Sequence, residues 1–257
     1  MVLVVKGLVT GYRSRLPIVN GVDLVVGKSE TVAVLGPNGA GKSTVLKAIG
    51  GLLRAWDGEV LLEGEEIGGL QTHDRIRAGV GYVPQGDVVF PYMTVLENLQ
   101  MGAFLFRRDH RRIRESLAYV YDLFPRLHDR AHQRASTMSG GERQMVALGR
   151  TLMSRPKLLI MDEPSLGLSP QFVETVFESL GLLKKSGLSM LLVEQKVSKA
   201  LQYADSAFVL VEGRNFFDGT SSEVLANKEI ERLYLGSPPS HSDGMPKASD
   251  QLGSEIQ

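Results

Sequence analysis

The fold predicted for this chain is decided by one stretch of its sequence, Gly36-Pro37-Asn38-Gly39-Ala40-Gly41-Lys42-Ser43-Thr44. It has the Gly-x4-Gly-Lys-Ser spacing of a P-loop, in which glycines let successive backbone N–H groups point inward around a phosphate chain. In such a loop Lys42 reaches the β- and γ-phosphates, and Ser43 offers its hydroxyl to Mg²⁺. A β-branched run at 31–35 precedes the loop and a helical stretch to about residue 49 follows it. The N-terminal partial charge of that helix also favours phosphate.

A second candidate segment lies well downstream, Leu158-Leu159-Ile160-Met161-Asp162-Glu163. On its own, an apolar strand that ends in two carboxylates is more often a strand that meets solvent. Combined with a P-loop, Asp162 can hold Mg²⁺ directly or through water, as the second half of the same site. Glu163 can then polarise an attacking water as a general base. The two segments together predict a nucleotide-hydrolysing site.

Three other features each have a structural and a functional interpretation. Ser139-Gly140-Gly141-Glu142 is a capping box, and its glycine-rich helix N-terminus can also bind phosphate through bare N–H groups. Gln85 follows a strand, where its amide can contact a metal or water. Tyr12 can stack on an adenine ring or be a half-buried strand aromatic.

The chain is organised as strands first, helices in the middle, and alternating helices and strands from Ser139 onward. Predicted strands lie at 2–5, 18–26, 31–35, 60–62, 79–84, 158–161, 189–193 and 207–211, and predicted helices at 72–78, 95–106 and 109–124. Alternating strands and helices indicate a mostly parallel sheet covered on both faces. Residues 237–257 contain ten Ser, Pro and Gly in 21 positions, and we expect this tail to be disordered.

Composition excludes several classes of protein. The 257 residues contain no cysteine, so there is no disulfide framework, thiolate zinc site or cysteine nucleophile. Lys+Arg 29 against Asp+Glu 29 gives zero net charge, which argues against nucleic acid as the main partner. No apolar run or leader suggests a membrane span or a signal peptide. The window 106–134 holds eight Arg against four acids, which is typical of a solvated helical face or of a docking surface.

Taken in order, these segments resemble the nucleotide-binding subunit of ABC transporters over about residues 2–236. The matches are Tyr12 with the adenine-stacking aromatic, 36–44 with the Walker A loop, Gln85 with the Q-loop, 138–142 with the signature motif, 158–163 with Walker B and 165–168 with the D-loop. The resemblance implies an α/β, ABC-type P-loop NTPase cassette. Such a cassette has a mostly parallel core sheet, an N-terminal antiparallel β subdomain and a helical subdomain, here about 86–155, inserted in a RecA-like core.

Within that family, the chain is most similar to the F-type ATPase subunits of branched-chain amino-acid uptake systems. The segments that carry this similarity are 82–86, 101–104, 123–127, 163–168, 192–195 and the closing Tyr234-Leu235-Gly236. Urea and short-chain amide uptake ATPases share several of them and remain the alternative. The chain departs from most cassettes at Met138 and Glu142, and most notably at Gln195, where a switch histidine is usual. A glutamine amide can donate a hydrogen bond there but carries no charge at any pH.

The resemblance also implies the cofactors and the role of each site residue. ATP would lie on Tyr12 and residues 36–44 and be covered in trans by Ser139, Gly140, Gly141 and Glu142 of another cassette. Ser43, Gln85 and Asp162 would hold Mg²⁺, and Glu163, Gln195 and Gln85 would be the catalytic residues. A non-hydrolysing regulator is the hypothesis that Gln195 leaves open, but an intact Glu163 argues against it.

The partners implied are two integral-membrane permease subunits, a second ABC ATPase in a heterodimer, and a solute-binding protein. The chain itself would be cytoplasmic and peripheral on the inner face of the plasma membrane. A soluble ABC ATPase of DNA repair or translation is less favoured, since 257 residues hold neither a long coiled-coil insert nor a second cassette.

Overall fold

The computed structural model describes residues 1–12, 16–86 and 89–234. The tail at 237–257, expected above to be disordered, lies outside these residues, as do Leu235 and Gly236. The strands are β1 (Leu3–Thr10), β2 (Val19–Val26), β3 (Thr31–Leu35), β4 (Asp57–Leu62), β5 (Glu65–Glu66), β6 (Val80–Val83), β7 (Leu158–Asp162), β8 (Ser189–Val193), β9 (Ser206–Val211) and β10 (Arg214–Thr220). The helices are α1 (Lys42–Ile49), α2 (Thr72–Ala78), α3 (Val95–Gly102), α4 (His110–Leu123), α5 (Pro125–Asp129), α6 (Gly140–Leu152), α7 (Pro170–Lys185), α8 (Val197–Tyr203), α9 (Ser221–Ala226) and α10 (Lys228–Tyr234).

The N-terminal sheet is antiparallel, with the strand order β2-β1-β4-β5. Its inner face carries alternate apolar residues such as Leu3, Val5, Val22 and Val60, which are fully or almost fully buried. These side chains share one hydrophobic cluster with α1 and with one face of the second sheet. The alternation of buried and exposed residues is that of an antiparallel sheet with one face on the core.

The second sheet has the order β10-β9-β3-β8-β7-β6, in which only β10 is antiparallel to its neighbour. Every residue of β3, β7 and β8 is buried, because both faces of a parallel sheet are covered. Apart from Thr31, Asp162 and Ser189 at their ends, these strands are apolar. Because β3, β6, β7 and β8 run parallel, their carboxyl ends meet at one edge of the sheet. That edge is where ligands bind in open α/β sheets.

Four helices, α3 to α6, lie between β6 and β7 and pack around α6. Gly149 of α6 permits this close packing, since a Cβ there would lie about 3 Å from side-chain atoms of Leu99, Leu127 and Val120. These three neighbours are fully buried. No helix among the described residues is long and apolar enough to cross a lipid bilayer.

The α/β class, the antiparallel N-terminal sheet and the mostly parallel core sheet are confirmed. One predicted helix is wrong in its extent: 95–106 is α3 followed by a separate 3₁₀ turn, Phe104–Phe106. Gly102 ends α3 where its backbone touches α6, and a Cβ at that position would overlap the carbonyl oxygen of Arg150. Strands β5 and β10 and helices α5 and α10 were not predicted.

Candidate functional site

The P-loop is the turn that connects β3 to α1, and its shape depends on glycine. Gly36, Gly39 and Gly41 have φ values of 144°, 83° and 93°, in the region that side chains disfavour. A Cβ on Gly36 would lie only 2.2 Å from the carbonyl oxygen of Leu210 on β9. Asn38 and Gly39 form the exposed crown of the loop. The loop therefore presents bare backbone at the N-terminus of α1, as a phosphate-binding turn requires.

Lys42 is 6% exposed and lies folded over the loop that precedes it. Its Nζ donates to the carbonyl oxygens of Gly36, at 2.8 Å, and of Pro37, at 3.0 Å. Burial lowers the pKa of Lys42, whereas the nearby carboxylates of Glu163 and Asp162 act in the opposite direction. The ammonium group is thus placed within the loop where a β- or γ-phosphate can replace the two carbonyls.

Asp162 ends β7 beside the first turn of α1. Its Oδ1 accepts from the Ser43 hydroxyl at 2.8 Å, and its Oδ2 faces the Tyr82 hydroxyl at 3.4 Å. Burial raises the pKa of Asp162, and the hydrogen bond from Ser43 is the largest influence that lowers it. Burial also raises the pKa of Tyr82, with Asp162 adding to the shift.

Ser43 and Asp162 supply the hydroxyl and carboxylate oxygens that suit Mg²⁺. Among the residues that the structure describes, no group of three or more His, Cys, Asp or Glu side chains is arranged to hold a metal ion alone. Magnesium sites in nucleotide-hydrolysing proteins ordinarily use one or two carboxylates together with substrate phosphates.

Glu163 follows Asp162 and is the centre of a hydrogen-bonded group. Its Oε2 accepts from the Nε2 atoms of both Gln85 and Gln195, each at 2.9 Å. Glu163 is 7% exposed, whereas the two glutamines are exposed. Its φ of 49° is left-handed, and its backbone N–H donates to the Val193 carbonyl at 2.9 Å. The structure therefore brings together the carboxylate and both amides that the sequence singled out.

Glu194 was not among the predicted site residues. It is 3% exposed, and its Oε1 and Oε2 accept from the backbone N–H groups of Ser165, at 2.9 Å, and Gln195, at 3.2 Å. It therefore ties the segment that follows Glu163 to the segment that carries Gln195. The signal in the sequence was a lone carboxylate directly after the apolar strand β8.

Ser139 caps α6 in the predicted capping box. Its Oγ accepts from the Glu142 N–H at 3.4 Å, and Glu142 Oε2 accepts from the Ser139 N–H at 2.9 Å. Arg130 pairs with Glu142 Oε1 at 2.7 Å. Burial would raise the pKa of Glu142, but the Ser139 hydrogen bonds and Arg130 together hold it below its usual value. Gly140 and Gly141 form the first turn of the helix, and no described hydrogen bond links residues 139–142 to the chain's own P-loop.

Tyr12 lies beside α1 and is 58% exposed. Its hydroxyl accepts from Lys47 Nζ at 3.2 Å. The ring is thus next to the P-loop helix, largely exposed and with Lys47 Nζ 5.7 Å from its centroid, an arrangement that permits stacking on a flat ligand.

A P-loop that faces a buried Asp–Glu pair across the carboxyl edge of a parallel sheet is the site of a nucleotide-hydrolysing ATPase. Residues 19–166 match the family model described as ABC transporter, and the chain belongs to that family. It is accordingly a nucleotide-binding subunit that hydrolyses ATP, and a membrane transporter's ATP-binding subunit implies permease partners and peripheral association with the membrane.

Two curated relatives resemble the chain over most of its length. It is 43% identical to the high-affinity branched-chain amino acid transport ATP-binding protein BraG of Pseudomonas aeruginosa, over 89% of this chain and 97% of that protein. It is 41% identical to a probable branched-chain amino acid transport ATP-binding protein, LivF, of Archaeoglobus fulgidus, over 88% and 95%.

Solved structures agree with the fold. The chain superposes with a TM-score of 0.82 and 28% identity on an ATP-binding cassette of an ABC transporter in its ADP conformation, over 92% of this chain and 99% of that one. A nucleotide-free ATP-binding cassette gives a TM-score of 0.81 at 26% identity, over the same shares of the two chains.

Proposed function

We propose that this chain powers the import of branched-chain amino acids through a membrane ABC transporter. The observation that carries the proposal is its likeness to BraG and LivF over nearly the whole length of both. The segments at 82–86 and 192–195, which suggested this subfamily in the sequence, contain Gln85 and Gln195. Both residues contact Glu163. Part of the likeness to the uptake ATPases therefore lies in the nucleotide site itself.

ATP binding follows from the loop geometry. The bare N–H groups of residues 39–44 and the N-terminus of α1 would receive the phosphates, and Lys42 would exchange its two carbonyl partners for phosphate oxygens. Tyr12 would stack on the adenine. Ser43, Asp162 and the Gln85 amide would hold Mg²⁺, which when bound neutralises charge on the β- and γ-phosphates.

Glu163 would act as the general base. Its carboxylate accepts a proton from the water that attacks the γ-phosphorus, while the leaving ADP departs on the side of the P-loop. Gln195, whose amide donates to Glu163 Oε2, would donate to the γ-phosphate instead when nucleotide is present. Because a glutamine amide does not titrate, Gln195 itself would stay uncharged at every pH.

A second ATPase subunit would complete the site. The N-terminus of α6, with Ser139, Gly140, Gly141 and Glu142, is a phosphate-binding turn with no described link to the chain's own P-loop. ATP on one subunit would therefore be covered by α6 of another, and loss of the γ-phosphate would release it. Together with the implied uptake system, this favours a heterodimer of cassettes.

The helical region between β6 and β7 would dock on the permease pair. Exposed apolar side chains lie on it, including Phe90, Tyr92 at 86% exposed, and Phe104. Seven of the eight arginines of 106–134 are also exposed there. Such docking would hold the chain on the cytoplasmic face of the membrane, in a system that also contains a solute-binding protein and no nucleic acid.

Reconstitution in proteoliposomes tests the solute. The chain is assembled with its permease subunits, second ATPase and binding protein, and ATP-driven uptake of radiolabelled leucine, isoleucine and valine is compared with uptake of urea and acetamide. Uptake of the three branched-chain amino acids alone is expected. Preferential uptake of urea or acetamide would replace the proposal with the alternative that the sequence left open.

A further inference from the structure

The last described helix of the chain ends against the P-loop. Tyr234, the final residue of α10, accepts a hydrogen bond on its hydroxyl oxygen from the backbone N–H of Gly36, with an N···O distance of 2.6 Å. Ile230, one turn earlier on α10, is 3% exposed and anchors the helix in the main hydrophobic cluster. Tyr234 opens the segment that resembles the uptake ATPases, and nothing in the nucleotide site so far gives that segment a role.

Gly36 is the residue at which the chain leaves β3 for the loop. It is buried, with a φ of 144° and no room for a Cβ beside Leu210. Its carbonyl oxygen accepts from Lys42 Nζ at 2.8 Å. Both backbone polar groups of Gly36 are thus used, the N–H by Tyr234 and the carbonyl by the P-loop lysine.

A buried N–H that loses its partner is costly, and the backbone moves to find another. Glycine has wide conformational freedom, so Gly36 depends on contacts such as these two hydrogen bonds to hold its backbone conformation. Without the Tyr234 hydroxyl, the first residue of the loop and the carbonyl that holds Lys42 would both be free to turn.

We propose that Tyr234 is a positioning residue of the nucleotide site, which fixes Gly36 and through it the position of Lys42 before ATP arrives. ATP then meets a loop already close to its bound shape, and less ordering is needed on binding. The inference rests on ATP binding at the P-loop and is independent of the transported solute.

The Tyr234 oxygen that accepts from the Gly36 N–H is that of a neutral phenol. Burial raises the pKa of Tyr234 to about 12, although the Gly36 N–H on its oxygen acts in the opposite direction. The phenol therefore remains protonated near neutral pH.

The test is Tyr234→Phe in the full chain, since phenylalanine keeps the ring and removes only the hydroxyl. The Kd for Mg-ATP, measured by calorimetry, is expected to rise about fivefold, the effect of one lost hydrogen bond. In the assembled transporter KM should rise by a similar factor with kcat little changed. The Gly36 amide, followed by ¹⁵N NMR, should lose its downfield shift and exchange faster with solvent.

Tyr203→Phe is the matched control. Tyr203 ends the neighbouring helix α8, its ring packs on Phe177 at 5.2 Å between centroids, and its hydroxyl makes no hydrogen bond within the described part of the chain. It should leave the Kd unchanged. An unchanged Kd for Tyr234→Phe, with or without a lower Tm, would overturn the proposal, as would an equal rise in Tyr203→Phe. A wild-type chain that bound no ATP would instead contradict the ATPase assignment.

Discussion

At the scale of single residues, the nucleotide site contains a buried aspartate with a raised pKa and a glutamate with a strained backbone conformation. Asp162 is 1% exposed and burial raises its pKa, while Glu163 beside it adopts a left-handed backbone conformation. Conformations and burial of this kind persist at functional sites because the rest of the fold holds them. We therefore expect Asp162 and Glu163 to lower the stability of the fold while being required for activity.

Asp162→Asn tests this trade in protein free of nucleotide, with EDTA present. Because the folded-state pKa is raised, the ionised carboxylate costs stability at pH 7, and the cost disappears as pH falls below the usual aspartate value of about 4. The Tm of Asp162→Asn should exceed that of wild type at pH 7, and the difference should shrink on acidification. ATP turnover of the variant should be lost.

The control for this variant is Asp122→Asn, at an exposed aspartate on α4, which should leave both Tm and turnover unchanged. Calorimetric scans at several pH values give the Tm, and phosphate release gives the turnover. A Tm for Asp162→Asn below that of wild type at pH 7 would mean that the carboxylate stabilises the fold, contrary to what its raised pKa predicts.

At the scale of elements, three helices, α3, α6 and α9, begin with the same capping box, but only α6 faces a phosphate in the proposed complex. Ser139 caps α6 and Thr220 caps α9, each in a full capping box with a glutamate three residues on. Comparing Ser139 with Thr220 therefore distinguishes the contribution of an N-cap to helix stability from its contribution to nucleotide binding.

Ser139→Ala and Thr220→Ala should each lose about 1 kcal/mol of stability, the usual effect of removing an N-cap. Only Ser139→Ala should also reduce ATP turnover of the assembled transporter, by about tenfold or more, because a donor to a charged phosphate is lost. Thermal unfolding and phosphate release measure the two effects. Equal turnover in both variants would show that the Ser139 hydroxyl contributes no contact to the nucleotide.

Much of the element arrangement was readable from the sequence, and its exceptions have physical causes. Strands β3 and β8 were predicted to the residue because each is a short, mainly apolar run that ends at polar or glycine-containing turns. Strand β10 was missed because it is an edge strand of mixed, half-exposed residues. The end of α3 depends on contact with α6, which no local pattern reveals.

In the nucleotide site, too, some features were predictable from the sequence and others depend on tertiary contacts. The parallel-sheet rule places residues 36–44, Gln85, Glu163 and Gln195 at one edge, so their proximity was predictable. The sequence does not reveal that both amides donate to the same oxygen of Glu163, because this depends on side-chain directions. The same holds for Glu194, which accepts from the Ser165 N–H after β7. The contact of Tyr234 with the P-loop depends on α10, which was not predicted.

At the scale of the whole molecule, zero net charge hides an uneven distribution. The window 106–134 carries eight Arg and four acids, a net charge of +4, so the remainder carries −4. Together with the exposed apolar residues of the same region, this favours the helical end as the contact side and leaves the sheet edge for nucleotide. In the proposed complex the chain therefore contacts its membrane partner through the helical region, whereas the catalytic carboxylate of Glu163 lies at the edge of the parallel sheet.

The most direct test of the proposed mechanism uses Glu163→Gln in the reconstituted transporter, with Glu174→Gln as control, an exposed glutamate on α7 that pairs with Lys199. Phosphate release and ATP-driven leucine uptake are measured on the same proteoliposomes. Loss of the general base should lower both by about 100-fold or more while Mg-ATP binding is retained, and the control should match wild type. Turnover and uptake near wild-type levels in Glu163→Gln would contradict the central claim.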